Sequence, residues 1–334
     1  HLNGATVDTI YDCSLNHFNA TQNNSSLQPQ KINNIALLNN KPVLRFDGIN
    51  DAMRSIFTSS FTQPNTIFIV WNVTGTDANA AYTAFDGLNS SNRQMLTSYK
   101  SLISLGADVS IMLSYSKNVP FKYLLNSLVF NTSSSKSYEN GLLKASGNVG
   151  SHSFSGLNIG VGSWGSGFLK GDIAEIIMYN ANLNDNDRKT VENYLRNKYA
   201  PPINLGPDKN ITYGFCNTLL DAGNRFTSYL WSNGATTSSI NVNKTGKYSV
   251  TVTDVFGFTS SDTINLTYPE IKLKDTLLCT GSSVTLSTGL SGSYTYNWTG
   301  GLTSPSINVS SPGNYSVTVT DNASCSKVSD TISV

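Results

Sequence analysis

The sequence predicts an all-β protein: a two-sheet sandwich that ends in one helix, followed by two smaller β-domains. Within residues 1–200, short runs of β-branched and aromatic residues alternate with turn residues about every 8–12 positions, as in sandwiches and barrels. Helical periodicity occurs in one segment, 184–199. The remaining chain, from residue 203, contains a tandem repeat.

The composition excludes several classes of partner. The chain has 334 residues, enough for two or three domains, with 13% charged residues and a net charge of +1. No cluster of Lys and Arg follows the spacing of phosphates, and no apolar run reaches the roughly 18 residues of a membrane span. We therefore expect neither a nucleic-acid partner nor membrane insertion. The chain starts without Met and ends inside a predicted strand, so we expect a fragment of a longer secreted protein.

The predicted strands of the first half can be placed in chain order. Thr66–Val73 is apolar throughout, which is typical of a strand buried on both faces. Asp47-Gly48, Asp86-Gly87 and Asn140-Gly141 are turn signals, and the last predicts a hairpin. The predicted strands are Pro42–Phe46, Thr66–Val73, Tyr82–Phe85, Met95–Tyr99, Ile111–Tyr115, Leu124–Phe130, the hairpin Lys136–Leu143, Leu157–Val161 and Gly171–Asn180.

The helix after the last of these strands has signals at both ends. Asn184 is a candidate N-cap, with acidic residues in the first turn and basic residues in the last turn that complement the helix dipole. Val191, Leu195 and Tyr199 form one apolar stripe. Pro201 and Pro202 end the helix.

Two parts of the first half resemble one known family. The strand GDIAEIIMY (171–179) with the helix LNDNDRKTVENYLRNKY (183–199), and the opening DCSLNHFNATQ (12–22) with PVLRFDG (42–48), are similar to concanavalin A-like, laminin-G-like jelly-roll domains common in surface proteins of Bacteroidetes. The resemblance implies a jelly roll over 1–200 in a secreted or cell-surface, extracellular protein. It also implies a lectin-like binding function.

The second half repeats with an offset of 67 residues. Trp231 corresponds to Trp298, and the strand ending at Asp254 corresponds to the strand ending at Asp321. Each Trp precedes a Tyr-x-Val by 17 residues, which resembles bacterial Ig-like (PKD-like) repeats. We therefore predict Ig-like domains at 203–268 and 269–334. The resemblance also implies a disulfide between Cys279 and Cys325, with Cys13 and Cys216 unassigned.

Candidate ligand-binding residues lie in three predicted loops of the jelly roll. Sugar sites in such folds combine an aromatic platform with polar side chains. Trp164, between glycines, is the leading platform; the alternative is a core Trp that caps the sandwich. The polar candidates are Asp86, Asn89, Asn92 and Arg93 in one loop, and Asp51 and Arg54 in another. For these, the alternative is ordinary solvated loop residues.

Calcium is the one metal that the resemblance suggests. Laminin-G-like relatives often hold one calcium ion at a sheet rim, and hard cations take carboxylate and carbonyl oxygens. The candidate ligands are Asp47, Asp51 and Asp172, although Asp before Gly is also ordinary turn chemistry. His1, His17 and His152 are isolated, so zinc has little support.

Catalysis is not expected. Glucanases of this fold need two carboxylates across a cleft, and Asp172 and Glu175 should point to opposite faces of their strand. We expect a non-enzymatic surface adhesin in which the jelly roll binds an extracellular glycan or polysaccharide and the repeats serve as spacers. The alternatives are an accessory region of a secreted polysaccharide-degrading enzyme, or a structural stalk that binds a surface protein.

Overall fold

The structure, a computed structural model, describes residues 3–334 and confirms the all-β fold with one α-helix in this range. His1 lies outside the described residues. The chain divides into two compact units. Unit 1 extends to Pro202 and includes the short segments 224–227 and 253–259, and unit 2 contains the remaining residues. The predicted boundary at 268/269, inside unit 2, stays a prediction.

Unit 1 is a sandwich of two antiparallel sheets. The eight-stranded sheet has the order β1-β2-β5-β14-β7-β8-β9-β10, and the seven-stranded sheet has the order β13-β12-β11-β6-β15-β4-β3. The strands are β1 Thr9–Ile10, β2 Ala20–Thr21, β3 Gln30–Ile35, β4 Lys41–Asp47, β5 Met53–Phe61, β6 Asn65–Val73, β7 Tyr82–Asp86, β8 Met95–Tyr99, β9 Leu102–Gly106, β10 Met112–Ser116, β11 Phe121–Phe130, β12 Ser135–Glu139, β13 Leu142–Gly147, β14 Phe154–Ile159 and β15 Lys170–Tyr179.

Strand β6 shows why one run is apolar throughout. All nine of its residues are buried. Ile69 and Trp71 face the core between the sheets, whereas Phe68 and Val70 belong to a second cluster on the other face. The indole Nε1 of Trp71 donates to Asn126 Oδ1 at 2.8 Å, so its one polar atom is satisfied inside the core.

The helix α1, Asp185–Tyr199, covers that second face. The Asn184 side chain accepts from the N–H groups of Asn186 and Asp187, which confirms the predicted cap. Leu195 and Tyr199 are buried against Phe68.

Unit 2 consists of small sheets that follow the repeat. The orders are β16-β21-β20-β18, β17-β19, β22-β24, β23-β26-β27 and β25-β28. The strands are β16 Lys209–Asn210, β17 Thr218–Asp221, β18 Ser228–Trp231, β19 Ser239–Val242, β20 Gly246–Thr253, β21 Thr259–Thr267, β22 Val284–Ser287, β23 Thr295–Trp298, β24 Ser306–Val309, β25 Asn314–Tyr315, β26 Val317–Thr320, β27 Ser326–Val328 and β28 Ile332–Ser333.

Equivalent side chains of the repeat make equivalent hydrogen bonds. Trp231 and Trp298 are buried, and each indole donates to a carbonyl six residues later, at 2.9 and 2.8 Å. Tyr248 and Tyr315 each donate to a carbonyl four residues earlier, at 2.9 Å. This pattern agrees with the tyrosine corner of Ig-like sandwiches, although the Ig-like assignment itself stays a prediction.

The disulfide prediction is wrong. Cys325 is bonded to Cys216, 109 residues earlier, and Cys279 is free and exposed, as is Cys13. Phe215 explains the pairing because it inserts into the core of the second repeat and places the next residue beside Cys325. The bridge therefore links the two repeats rather than closing one of them.

Candidate ligand-binding rim

Three loops of unit 1 meet at one end of the sandwich. They are residues 48–52 between β4 and β5, 87–94 between β7 and β8, and 160–169 between β14 and β15. Strand β14 lies between β5 and β7, and Asn158 is paired with both Arg54 and Asp86. Lys170, at the end of the third loop, pairs with Asp47 before the first. We call these three loops the rim.

A buried ion pair closes one of the rim loops. Asp86 Oδ2 lies 2.8 Å from Arg93 Nη2, and both side chains are almost fully buried. Asp86 also accepts from the backbone N–H of Ser163 at 2.9 Å, which connects it to the loop 160–169. Burial raises the pKa of Asp86, while the Ser163 hydrogen bond and the charge of Arg93 oppose that rise. The carboxylate is therefore a structural anchor, not a group free to contact a ligand.

Trp164 lies against Arg93 of this ion pair, and its side chain is 50% exposed. Its loop is closed by hydrogen bonds from Gly162 N–H to Ser166 O, 3.0 Å, and from Gly165 N–H to Gly162 O, 2.9 Å. Cζ of Arg93 lies 5.0 Å from the centroid of the Trp164 ring, within cation–π distance. A Cβ at Gly162 would lie 2.7 Å from the indole, so a larger residue there would displace the ring. The alternative of a core Trp is thus wrong.

The other predicted residues of this loop form its turn. Oδ1 of Asn89 accepts from the N–H groups of Ser91 and Asn92, both at 3.0 Å. Asn89 is exposed and Asn92 is partly exposed. Gly87 is required beside them, because a Cβ there would lie 2.0 Å from the carbonyl oxygen of Asn92. The NH₂ group of Asn89 and the side-chain amide of Asn92 are therefore available next to the rim surface.

Asp51 and Arg54 have different surroundings. Asp51 is buried and accepts from the Asp47 N–H at 2.9 Å, and burial raises its pKa to about 6. Arg54 is exposed and lines a shallow pocket of about 290 Å³ with His17, Phe18, Asn19, Thr21 and Ile56. Asp51 therefore stabilises its own turn, and the predicted ligand residues do not form one pocket.

Sequence reasoning missed two residues that shape the rim. Ser163 supplies the backbone N–H that binds Asp86, and Asn158 donates to Gly87 O at 2.9 Å. A backbone donor has no sequence signal. Asn158 follows the alternation of β14, so its partial exposure could have been predicted from the pattern.

The predicted metal ligands do not form one site. Asp172 binds Arg45 through both oxygens, at 2.8 and 2.9 Å, and also accepts from the Tyr123 hydroxyl. Asp47 accepts from the N–H of Ile49 in its own turn at 2.8 Å. Among residues 3–334, the one cluster with metal-ligand spacing is Cys216, Asp321 and Cys325, whose sulfurs form the disulfide. The set Asp47, Asp51 and Asp172 is thus wrong as a joint site, while calcium binding elsewhere stays a prediction.

The carboxylates considered for catalysis are also occupied. Asp172 is held by Arg45, and Glu175 accepts from Lys198 Nζ at 2.9 Å through each oxygen. A register shift between Ile173 and Glu175 interrupts the alternation of β15. Each carboxylate is therefore held in a separate ion pair.

Comparisons with known proteins do not assign the chain to a family. No protein-family model matches the chain, and a search of curated proteins finds no match. The binding domain of botulinum neurotoxin DC in complex with rat synaptotagmin II is similar at 10% identity, over 75% of this chain and 71% of that chain, with a TM-score of 0.42.

Two further solved structures give similar values. The botulinum neurotoxin serotype D ligand-binding domain in complex with N-acetylneuraminic acid has 11% identity, covers 74% of this chain and 70% of that chain, and has a TM-score of 0.40. The binding domain of Paraclostridial Mosquitocidal Protein 1 has 13% identity, coverage of 75% and 62%, and a TM-score of 0.45. Similarity this loose supports no inference about function. Among the described residues, no helix is long and apolar enough to cross a membrane.

Proposed function

We propose that this protein binds an extracellular glycan at the rim, with the exposed indole of Trp164 as the platform for one sugar ring. The observation that carries the proposal is a half-exposed Trp whose orientation is set by a buried ion pair beneath it. An exposed large aromatic residue costs free energy in water. A Trp held in one orientation suits binding, because Trp is enriched among residues that dominate binding energy and preorganisation lowers the cost of binding.

The polar groups beside the indole fit the same ligand. Asn92 has a side-chain amide at the rim surface that can donate to and accept from sugar hydroxyls. Asn89 can offer its NH₂ group as a donor, because its Oδ1 accepts from the turn. Arg93 is committed to Asp86, so the positive charge nearest to the platform is neutralised. The proposal is a non-enzymatic, lectin-like module for hydroxyl-rich ligands.

We further propose that the module belongs to a secreted or cell-surface protein in which residues 203–334 act as a spacer. The disulfide between Cys216 and Cys325 supports this setting, because such bonds form and persist in oxidising, extracellular compartments.

The test is a glycan array with the whole chain, run with calcium and again with a chelator. We expect saturable binding that Trp164→Ala weakens by about tenfold or more, since truncating an aromatic anchor typically costs about 2 kcal/mol. The matched control is Tyr194→Ala, which removes an aromatic ring of similar exposure, 52%, from helix α1.

The outcomes are distinct. Binding lost in the Trp164 variant and kept in the Tyr194 variant supports the rim site. Equal losses in both variants, or no binding to any glycan in either buffer, would overturn the proposal. Loss of wild-type binding on chelation would indicate that glycan binding requires a metal ion.

A further inference from the structure

Unit 1 contains a cavity of about 670 Å³ between its two sheets. Phe57, Phe61 and Leu157 line it from the eight-stranded sheet, and Ile176 and Met178 line it from the seven-stranded sheet. None of the seven ligand-binding residues predicted from the sequence is part of the lining.

The packing of the core differs between its two sides. Near β8, β9 and β11, the inward residues Leu96, Ile103 and Leu128 are at most 1% exposed. Around the cavity, inward-facing apolar residues remain only partly buried, among them Ile10, Phe18, Leu44, Phe61, Ile176 and Met178. Protein interiors are close-packed, with few voids larger than one water molecule. A solvent-accessible apolar cavity of this size is therefore an unusual feature of the fold.

The mouth of the cavity is built by the loop 11–16. The Asp12 carboxylate accepts from the N–H groups of Ser14 and Phe18, both at 2.9 Å, and thereby fixes the loop. Ser14 and Asn16 add polar atoms there, and the Tyr11 side chain is 73% exposed. The cavity thus has apolar walls and a polar entrance.

The charged residues of the lining decide which polar group would fit. Oxygens of Asp12 accept the loop N–H groups, and Glu175 binds Lys198. Lys31 also has an interaction partner. Hydrogen bonds from N–H groups leave the negative charge of Asp12 in place at the mouth, so the lining would repel an anionic head group. Desolvating an ionic group of either sign at an apolar mouth would also be unfavourable.

We propose that this cavity binds the alkyl or acyl chain of an uncharged amphiphile, with the chain between the sheets and a hydroxyl-bearing head at the loop 11–16. Its volume lies within the roughly 300–1,000 Å³ of small-molecule sites, which are mostly apolar with a few orienting polar groups. An alkyl chain in the cavity would displace water from the apolar walls, which is favourable. The site is independent of the rim and of the proposed glycan binding.

The test is calorimetric titration of the whole chain with 1-decanoylglycerol, below its aggregation limit. Decanoate is the charged ligand of similar chain length. We expect saturable binding of one 1-decanoylglycerol per chain, and binding of decanoate weaker by about tenfold or more, because the Asp12 carboxylate at the mouth repels it and its carboxylate would lose water there.

Two variants fill the cavity. Ala20→Phe adds a ring at a buried lining residue, and Phe61→Trp adds a smaller volume at a partly exposed one, which the fold should tolerate. Both should weaken binding by about tenfold or more, whereas Trp164→Ala should leave it unchanged. Trp164 is not part of the lining, so this variant separates the cavity from the rim.

Absence of saturable binding, or binding that neither filling variant changes, would overturn the site. Equal or tighter binding of decanoate would overturn the uncharged head group. A negative result in the glycan array would not affect this test, because the cavity and the rim are formed by different residues.

Discussion

Asp254 and Asp321 occupy equivalent positions of the repeat. Each stabilises the same type of turn, but each also binds a different donor. Oδ1 of Asp254 accepts from the N–H groups of Phe256 and Phe258, at 2.9 and 3.0 Å. Oδ1 of Asp321 accepts from the equivalent N–H groups of Ala323 and Cys325, both at 2.9 Å. One oxygen of each carboxylate therefore builds the turn, and the other is free for a segment that precedes it in the chain.

The second oxygen shows the difference. In unit 1, Oδ2 of Asp254 accepts from Arg196 Nε at 3.2 Å, and the Arg196 guanidinium lies 4.2 Å from the centroid of the Phe258 ring. In unit 2, Oδ2 of Asp321 accepts from the Phe215 N–H at 2.7 Å, and Cys325, equivalent to Phe258, carries the disulfide.

One turn geometry thus supports two kinds of attachment. Arg196 reaches its turn with a flexible, partly exposed side chain that salt can screen. The segment that contains Phe215 reaches its turn with backbone and a covalent bond, and Tyr213 adds a hydrogen bond to Ser293 O at 2.6 Å. The residue four positions after the aspartate, Phe258 or Cys325, determines which attachment is available.

The largest expected effect comes from the covalent attachment. Cys216→Ser should lower the free energy of unfolding of unit 2 by about 3–5 kcal/mol, because a cross-link over roughly 100 residues constrains the unfolded chain strongly. Urea titration followed by tryptophan fluorescence measures the loss. Cys279→Ser is the matched control, since that thiol is free and exposed, and it should change nothing. A similar loss in both variants would contradict the assignment.

The next effect separates the two aspartates. In Asp321→Asn and Asp254→Asn, the remaining side-chain oxygen can still accept the two N–H groups of the turn. The new NH₂ group replaces Oδ2 and therefore faces the donor that Oδ2 had bound, the Phe215 N–H or Arg196 Nε. Arg196 can turn away into solvent, whereas the Phe215 N–H cannot move. We expect a cost of about 1–3 kcal/mol for Asp321→Asn and at most about 1 kcal/mol for Asp254→Asn. Thermal unfolding gives both values, and the reverse order would refute the comparison.

A smaller effect concerns the attachment in unit 1. Arg196→Met keeps much of the side-chain volume but removes the ion pair with Asp254 and the cation–π contact with Phe258. We expect a loss of about 1 kcal/mol in low salt that shrinks at high ionic strength. Arg225→Met is the comparison variant, because Arg225 is another arginine of unit 1 whose guanidinium carbon lies 3.9 Å from the centroid of a phenylalanine ring, that of Phe226. A loss for Arg196→Met that is independent of salt would mean that packing, not charge, matters there.

The pH dependence of stability has opposite signs at two carboxyls. The Phe215 N–H, followed by those of Cys325 and Ala323, lowers the pKa of Asp321, so its stabilisation is present above pH about 4 and is lost as pH falls further. Burial raises the pKa of Asp51 to about 6, so its contribution is full below pH about 4 and is lost as pH rises through 6.

Unfolding free energies of the wild type, Asp321→Asn and Asp51→Asn between pH 3 and 7 check both signs. The difference between the wild type and Asp321→Asn should narrow below pH about 4. The wild type should lose stability relative to Asp51→Asn between pH about 4 and 6. Parallel curves for all three proteins would rule out both assignments.

Local patterns account for what could be predicted. The Asn184 cap and the Asn140-Gly141 hairpin involve residues within a few positions of each other, and both are present. Strand β5, Met53–Phe61, was missed even though its buried residues alternate, because the inward Ser55 interrupts the apolar pattern. Apolar burial alone does not make a strand predictable either, since β9, Leu102–Gly106, with buried Ile103 and Leu105, is absent from the predicted strands.

The candidate site was predictable only as a set of residues. The sequence predicts Asp86, Arg93 and Trp164 as separate ligand-binding residues. In the structure they lie together, with the Asp86–Arg93 ion pair beneath the Trp164 indole. Asp51 and Asp172 are predicted from the sequence in the same way. In the structure, however, Asp51 accepts from the Asp47 N–H and Asp172 forms an ion pair with Arg45. Residue type shows which chemistry is possible, but the partner that satisfies a carboxylate comes from a distant strand.

By itself, the sequence determined the all-β class, the single helix, the 67-residue repeat and the equivalence of Asp254 with Asp321. These properties follow from side-chain period and from contacts between near neighbours in the chain. Only the tertiary structure decided that Cys325 pairs with Cys216, that Trp164 is exposed, and that a cavity opens between the two sheets on one side of the core. Each of these depends on which distant segments pack together, and that is set by the summed burial of the whole chain rather than by any one motif.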